Sequence, residues 1–327
     1  MLKWTPRPSI RSLGGKAAIE LHKMCDSPKY YNRATGKLET EKVLGDTWLR
    51  LAYKSPIRGL LQWPLFSCAF FSRLMGWYLD KRSSVKRIDP TIRDLGINMD
   101  EAIIPDGGFT SFNDFFAREL KPGARPLPED EWAVISPADC RLTVYPEITA
   151  GLVVPVKGTP YSISDMLGMQ GNRYFRRFDG GSLLVCRLCP ADYHRYHFID
   201  DGQMEDYWVT HGKYHSVNPI ALEAGYKPFT ENFRTARIME LKHGGMAAMF
   251  AVGAFGVASI HDYADEAGFE FHRGNQAGFF AFGGSTVVMA FERGKCEFDE
   301  DLVAHSREGI ETLVKVNSKI GRWIHQE

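Results

Sequence analysis

The sequence predicts an α+β protein, with a helical N-terminal region over residues 1–110 and a strand-rich domain over residues 111–327. Apolar residues recur at helical spacing in the first third of the chain. From about Trp132 onward the apolar runs are short, β-branched or aromatic, and separated by Gly and Pro, which is typical of strands. Hydrophobic residues make up 44% of the chain and charged residues 24%, as in a globular protein with a buried core.

Charge and cysteine content exclude some classes of protein. Forty basic and forty acidic side chains cancel, which argues against a general nucleic-acid binder. Six cysteines in 327 residues are too sparse for a disulfide framework and favour a reducing compartment.

The N-terminal region carries two predicted helical segments. The first, "ETEKVLGDTWLRLAYKSP", ends before Pro56. The second, from Leu60 to Leu79, has the length of a bilayer span, but Gln62, Pro64 and Arg73 argue against crossing a membrane. Its aromatic residues and the cations that flank it up to Arg87 favour an interfacial helix on an anionic membrane. The alternative is a helix packed against the rest of the protein.

The strand-rich domain is predicted from short segments. Helices are expected at "TSFNDFFAREL", where Ser111 and Asp114 have capping-box spacing, at "SISDMLG", and at "EDLVAHSREGIETLVKVNS". Strands are expected at "RLTVYPEI", "GLVVPVKG", "GSLLVCRL", "AAMFAVGAFGVASI", "GFFAFGG" and "TVVMAF".

The segment "CRLCPADYHRYHF" holds Cys186, Cys189, His194 and His197 and raises the question of a zinc site. A C2H2 finger separates its Cys and His pairs by about twelve residues, whereas four separate them here, so no metal site is predicted. For the two histidines, an ordinary structural hydrogen bond is the alternative to a catalytic role.

Asp139 in "ISPADCRL" and Ser285 in "AFGGSTVVMAF" could complete an Asp–His–Ser arrangement. A hydrolase elbow needs G-x-S-x-G at a strand-to-helix turn, and this serine is followed by another strand. The hydroxyl of Ser285 could instead attack the carbonyl of Gly284, shift the acyl group from nitrogen to oxygen, and cleave the chain by elimination to leave a pyruvoyl group. The alternatives are a bulge at the glycines and a turn aspartate at 139.

Several motifs together resemble the phosphatidylserine decarboxylase family. They occur in the family's order: "SFNDFFARELKPGARPLP", "SPADCRL", "VKGTPYSISDMLG", "LCPADYHRYHF", "HSVNPIALE", "PFTENFR" and "FGGSTVVMAF". The opening "YYNRATGKLETEKV" is similar to a bacterial branch with an N-terminal extension. Two departures are G-G-S-T in place of the commoner L-G-S-T, and Phe233 at a position that is commonly acidic.

The resemblance implies a self-cleaving proenzyme, cut between Gly284 and Ser285 into fragments 1–284 and 285–327. It assigns Asp139, His197 and Ser285 to self-processing and His194 to decarboxylation. It further points to Asn232 and Arg234 as substrate-binding residues.

The cofactor implied is a pyruvoyl group made from Ser285, with no metal and no pyridoxal phosphate, and it would form an imine with the substrate amine. The substrate implied is phosphatidylserine in an anionic membrane, and the products are phosphatidylethanolamine and CO2. The expected location is peripheral, on the cytoplasmic face of the bacterial cell membrane, with a homodimer as a possible assembly. The alternatives are a soluble amino-acid decarboxylase on the same scaffold and a non-enzymatic membrane-binding protein.

Overall fold

The structure is a computed structural model of the 327-residue chain. It describes residues 28–41, 69–148, 154–156, 159–217, 221–222, 225–254, 260–282 and 285–325. The strands are β1 (Lys29–Asn32), β2 (Lys37–Thr40), β3 (Ala133–Ile135), β4 (Cys140–Tyr145), β5 (Val154–Val156), β6 (Thr159–Tyr161), β7 (Ser182–Leu188), β8 (Arg195–His197), β9 (Gly202–Thr210), β10 (Arg234–Leu241), β11 (Gly245–Val252), β12 (Ile260–Asp262), β13 (Glu270–Phe271), β14 (Gln276–Phe280), β15 (Ser285–Phe291), β16 (Cys296–Phe298), β17 (Glu311–Val314) and β18 (Lys319–Trp323). The α-helices are α1 (Ala69–Leu79), α2 (Ile88–Leu95), α3 (Phe112–Phe116), α4 (Ile163–Gly171), α5 (Pro228–Glu231) and α6 (Glu300–Arg307).

Within the described part of the chain, ten strands form the main sheet, in the order β13-β9-β10-β11-β15-β7-β4-β17-β1-β2. Neighbouring strands run antiparallel except for the parallel pair β1 and β17. Strand β15 lies between β7 and β11, and all seven of its residues are buried. Its first residue, Ser285, pairs with Leu188 at the end of β7, so the main sheet fixes the backbone at this serine.

Both faces of the main sheet are covered, which explains why β15 reads as a continuous apolar run. Val287, Met289 and Phe291 face one core, shared with the smaller sheets β12-β14-β8 and β16-β18-β3. Val288 and Ala290 face a second core, which includes apolar side chains of α4 and α5. The mixed, strand-rich architecture confirms the α+β class predicted from the sequence.

The prediction of a helical N-terminal region is wrong for residues 29–40. These residues form the β1–β2 hairpin, and Tyr30 pairs with Glu311 near the other end of the chain. Gly36, at φ +69°, provides the left-handed turn between the two strands. Most of the predicted helix "ETEKVLGDTWLRLAYKSP" lies outside the described residues, and the domain boundary near residue 110 stays a prediction.

Two predicted helices of the strand-rich domain are confirmed, the first with its predicted Ser111 cap, and the second also has a serine cap. The Ser111 side chain accepts a hydrogen bond from the backbone N–H of Asp114 at 3.1 Å, and the Ser162 side chain does the same for Asp165 at 3.0 Å. The helix predicted over residues 300–318 is wrong in its second half. Gly309 has φ +72° and ends the helical segment, and the chain then enters β17.

Residues 69–95 form helices that pack on α3. Leu79, Ile88 and Leu95 are buried in a third apolar cluster with the three phenylalanines of α3, whereas Leu74 and Trp77 are exposed on α1. No helix within the described residues has the length and apolar character needed to span a membrane. Residues 60–68 lie outside the described residues, so the interfacial role of this segment stays a prediction.

A buried ion cluster ties the N-terminal hairpin to the main sheet. Arg187 on β7 donates to Glu41, which follows β2, and to Glu311 at the start of β17, with shortest distances of 2.6 Å to each. All three side chains are at least nine-tenths buried. Although burial alone would raise the pKa of Glu41, Arg187 lowers it to about 2.

We expect Arg187→Met to lower the free energy of unfolding by about 3–5 kcal/mol, because it leaves two buried carboxylates without their cation. Urea denaturation followed by circular dichroism measures this loss. The control is Arg173→Met, which removes an exposed ion pair with Asp206 and should cost less than about 1 kcal/mol. Equal losses in the two variants would contradict a stabilising role for the buried cluster.

Candidate active site

The candidate site is centred on Ser285, the fully buried first residue of β15. Its Oγ lies 3.0 Å from Nδ1 of His194, and Nε2 of the same ring lies 2.9 Å from the carbonyl oxygen of Cys189. Because a carbonyl oxygen can only accept, Nε2 carries the ring proton and Nδ1 accepts from the serine hydroxyl. The arrangement is that of a hydroxyl nucleophile with an adjacent base.

The loop between β7 and β8 presents His194 to the serine. Asp192 folds this loop by accepting a hydrogen bond from the backbone N–H of Cys189 at 2.7 Å, and it forms a buried ion pair with Arg141 on β4. Arg118 donates to the Asp192 carbonyl at 3.2 Å. These contacts hold the Cys189 carbonyl at the position where it orients the imidazole.

The surroundings of His194 keep its imidazole neutral. The ring is fully buried and stacks on Phe116, with 3.8 Å between ring centroids. Burial, reinforced by the positive charges of Arg118 and Arg141, lowers the pKa of His194 to about 3. At neutral pH the ring can therefore accept a proton at Nδ1.

His197, which the resemblance assigns to self-processing, occupies a different environment. Its Nδ1 lies 2.8 Å from the carbonyl oxygen of Gly274 and its Nε2 lies 3.3 Å from the hydroxyl of Tyr193. Burial lowers the pKa of His197 as well. The structure records no hydrogen bond between His197 and Ser285 in the described part of the chain. It brings His194 to the serine, and the role of His197 stays a prediction.

Asp139 is buried but points to other partners. Its carboxylate accepts two hydrogen bonds from Arg125, at 3.0 and 2.7 Å, one from the backbone N–H of Val316 at 2.8 Å, and one from Lys315 at 3.1 Å. Burial alone would raise the pKa of Asp139, but Arg125 and Lys315 hold it below its usual value. Among the described residues, no hydrogen bond joins Asp139 to a histidine, so its place in a catalytic triad stays a prediction.

Asn232 and Arg234, predicted to bind substrate, use their side chains to hold neighbouring backbone. The Asn232 amide donates to the carbonyls of His215 and Gly253, both at 2.7 Å. The Arg234 guanidinium donates to backbone carbonyls of α4 and of the segment before β10. Arg234 pairs with Val252, which in turn pairs with Thr286, so it lies two strands from β15 at the same end of the main sheet. A substrate contact by either residue stays a prediction.

The side chains of the two C-x-x-C cysteines make no recorded hydrogen bond to Ser285 among the described residues. Cys186 is buried in the core of the main sheet, and the Cys189 sulfur lies 3.1 Å from both Arg187 and Glu41. In the described ranges, no group of three His, Cys, Asp or Glu side chains is arranged to hold a metal. Gly284, the other half of the predicted cleavage site, lies outside the described residues.

Sequence reasoning missed three features of this site: Phe116, the Cys189 carbonyl, and the way Asp192 folds the loop before His194. All three occur within the quoted motifs "SFNDFFARELKPGARPLP" and "LCPADYHRYHF". The motifs mark these segments, but the stacking partner of His194 and the acceptor for its Nε2 become evident only from the fold.

A buried serine with a neutral histidine defines an enzyme site of the nucleophile-and-base class. Comparison with known proteins gives the particular family: residues 112–322 match the family model described as phosphatidylserine decarboxylase. The chain is similar to the phosphatidylserine decarboxylase proenzymes of Clostridium novyi (strain NT), at 40% identity over 90% of this chain and 98% of that protein, and of Desulfitobacterium hafniense (strain DSM 10664 / DCB-2), at 38% identity over 90% of this chain and 97% of that protein. The chain belongs to the phosphatidylserine decarboxylase family.

We expect the His194 ring to stay neutral between pH 8 and pH 4.5, because its pKa is lowered to about 3. The ring-proton chemical shifts of His194, followed by NMR in an uncut Ser285→Ala chain, measure this directly, and exposed histidines with a pKa near 6.5 serve as the reference. Since the unfolded histidine binds a proton below about pH 6.5 and the folded one does not, this residue makes stability rise with pH between about 3 and 6.5. Titration of His194 near pH 6.5 would contradict the burial argument.

Proposed function

We propose that this chain is a self-processing, pyruvoyl-dependent decarboxylase that converts phosphatidylserine to phosphatidylethanolamine and CO2. Membership of the family supports the reaction, and the proenzyme names of its relatives support self-processing. The observation that carries the proposal is the hydrogen bond between Ser285 Oγ and Nδ1 of a neutral His194 at the start of a buried strand.

The self-cleavage follows from this pair. Nδ1 of His194 accepts the hydroxyl proton as Ser285 Oγ attacks the carbonyl carbon of Gly284. It passes this proton to the Ser285 nitrogen as the bond between that nitrogen and the carbonyl carbon breaks, which leaves an ester and a free amine. Removal of the Ser285 α-proton eliminates the ester and gives a carboxylate at Gly284 and a dehydroalanine at 285. One water then adds and ammonia leaves, which produces the pyruvoyl group. We also assign Asp139 and His197 to self-processing, as the resemblance implies.

Position 285 suits a pyruvoyl group because it is fully buried and is fixed to β7 by its pairing with Leu188. When present, this group supplies a carbonyl that takes up the electron pair left by CO2, in place of pyridoxal phosphate or a metal. His194 is again the residue in reach. We assign to it the transfer of the proton that the substrate α-carbon takes up, because it lies within hydrogen-bond reach of position 285.

The two fragments of the proposed mature enzyme are interlaced. Strand β15 of the small fragment, 285–327, lies between β7 and β11 of the large fragment, 1–284, and β17 lies between β4 and β1. Asp139 binds Lys315 and Val316 of the small fragment. We therefore expect the fragments to stay together after the cut without a covalent link.

A groove beside the site supports a lipid substrate over a soluble amino acid. It has a volume of about 330 Å³ and an apolar lining, with Lys86 and Arg87 at its edge. The structure records no acidic partner for either cation in the described part of the chain. The groove reaches Phe282, whose ring contacts Phe116, and Phe116 stacks on His194. An apolar floor bordered by two cations complements an anionic phospholipid.

Helix α1, which lines one side of the groove, also supports peripheral attachment to a membrane. Leu74 and Trp77 are exposed on α1 next to the groove-lining Met75 and Tyr78. We propose that the segment from Leu60 to Arg87 rests on the anionic cytoplasmic face of the bacterial cell membrane, where each nearby cation contributes about 1 kcal/mol. A homodimer, which the resemblance also implies, belongs to the same proposal.

We expect Ser285→Ala to give a single uncut chain that makes no phosphatidylethanolamine, because it lacks the hydroxyl that cleaves the backbone. Intact mass and a denaturing gel measure cleavage, and a product assay measures activity. The control is Ser83→Ala, at an exposed serine, which should be cut and active like the parent chain. Two fragments or normal product from Ser285→Ala would disprove the proposal.

We expect the double variant Lys86→Glu/Arg87→Glu to bind anionic vesicles less well and to raise KM for vesicle-borne phosphatidylserine at least about tenfold, with self-cleavage unchanged. Vesicle flotation and decarboxylation kinetics measure the two effects. The matched control Arg176→Glu/Arg322→Glu makes the same change in net charge at exposed positions outside the groove. Unchanged flotation and KM would favour a soluble amino-acid substrate, even if self-cleavage proceeds normally.

A further inference from the structure

We infer that Asn113 is a positioning residue for self-cleavage, held in place by Asp80; this inference rests on the proposed function. Asn113 lies on α3 and is largely buried. Its Oδ1 accepts a hydrogen bond from the backbone N–H of Phe282 at 3.0 Å. Phe282 is the last described residue before Ser285, so this bond fixes the chain just before the proposed scissile peptide.

The second half of the Asn113 amide is anchored to the helical region. Its Nδ2 donates to Oδ1 of Asp80, directly after α1, at 2.7 Å. The ionised carboxylate of Asp80 can only accept and the N–H of Phe282 can only donate, so the orientation of the Asn113 amide is determined by its partners. An amide side chain satisfies both partners at once, whereas a carboxylate or an apolar side chain of similar size does not.

Helix α3 carries the other parts of the arrangement as well. The ring of Phe282 packs against Phe112 and Phe116, with ring centroids 5.1 and 5.2 Å apart. On its other side, Phe116 stacks on His194. The N-terminal end of α3 is itself held by Ser84, whose Oγ accepts from the backbone N–H of Phe112 at 2.8 Å. Helix α3 therefore sets the distance between the base, His194, and the segment at Phe282 that leads to the proposed cleavage site.

This distance matters for the first chemical step. Ser285 is fixed by its ladder pairing to Leu188, and His194 is fixed by the Cys189 carbonyl. For Oγ to reach the preceding carbonyl carbon, the chain on the other side of that carbonyl must also be fixed. A displacement of about 1 Å between reacting groups can cost about 100-fold in rate. Asn113 supplies this third constraint through the backbone N–H of Phe282.

The test follows self-cleavage of the full chain after a pulse of translation in vitro, on a denaturing gel. We expect Asn113→Leu to slow cleavage by about 10- to 100-fold, because the N–H of Phe282 loses its acceptor. Asn113→Asp should also be slow, because the introduced carboxylate faces that of Asp80. In the double variant Asn113→Asp/Asp80→Asn, the amide introduced at position 80 donates to the carboxylate introduced at position 113. The cleavage rate should then return to within about threefold of the parent.

Two further readouts separate positioning from general stability. Thermal unfolding of each variant in the uncut Ser285→Ala background reports folding, and the decarboxylation rate per cleaved chain reports the mature site. Because the facing carboxylates of Asn113→Asp also lower stability, cleavage of this variant and of the double variant is compared at a temperature at which both are fully folded, and we expect the activity per cleaved chain to stay within about twofold of the parent. The surface control Asp89→Asn should cleave at the parental rate.

The inference is overturned if Asn113→Leu cleaves as fast as the parent, or if the double variant, when fully folded, stays as slow as Asn113→Asp. If Asn113→Leu does not fold, the comparison between Asn113→Asp and the double variant decides alone. Absence of cleavage in the parent chain would instead mean that the proposed function has failed.

Discussion

The hydrogen bond between Ser285 Oγ and His194 Nδ1 depends on the antiparallel pairing of β7 and β15. Strand β7 ends at Leu188, opposite the serine, and the chain then turns through a short loop to His194. Because β15 is buried on both faces of the main sheet, the serine is placed where neither its backbone nor its hydroxyl faces solvent. The two side chains therefore meet through neighbouring strands rather than through neighbouring positions in the sequence.

Burial of this pair has an electrostatic consequence for the histidine. Arg118 lies close enough to lower the pKa of His194, and two of its buried nitrogens, Nε and Nη1, have no hydrogen-bond partner among the described residues. Its positive charge is thus only partly compensated, and a second positive charge on the imidazole is disfavoured. The neutral ring keeps the Nδ1 lone pair available to the serine hydroxyl.

The sequence allowed prediction of the segments of the site, but only part of their geometry. Ser285 and the D-Y-H-R-Y-H motif could be selected because their residue types fit one reaction. The H-x-x-H spacing cannot say which histidine reaches the serine, since that depends on the loop that precedes β8 and on the Cys189 carbonyl. The β1–β2 hairpin was missed because its partner strand, β17, lies near the other end of the chain, beyond the reach of local patterns. The strand β17 was itself read as helix, since residues 300–318 keep helical spacing on both sides of Gly309.

The hydrogen bonds of Asp139 join the two fragments that the proposed cut would produce. Its carboxylate holds Val316 and Lys315, and the carboxylate of Glu311 is held by Arg187. Both contacts cross between residues before 284 and residues after 285, as do the ladders of β15, β17 and β18. Under the proposed cleavage between 284 and 285, strand β15 loses the covalent constraint at its start. Buried charge pairs and strand pairing, which exist before the proposed cut, then hold the small fragment in place of that constraint. On this argument a residue can be essential for processing by fixing the small fragment, without exchanging a proton with the serine.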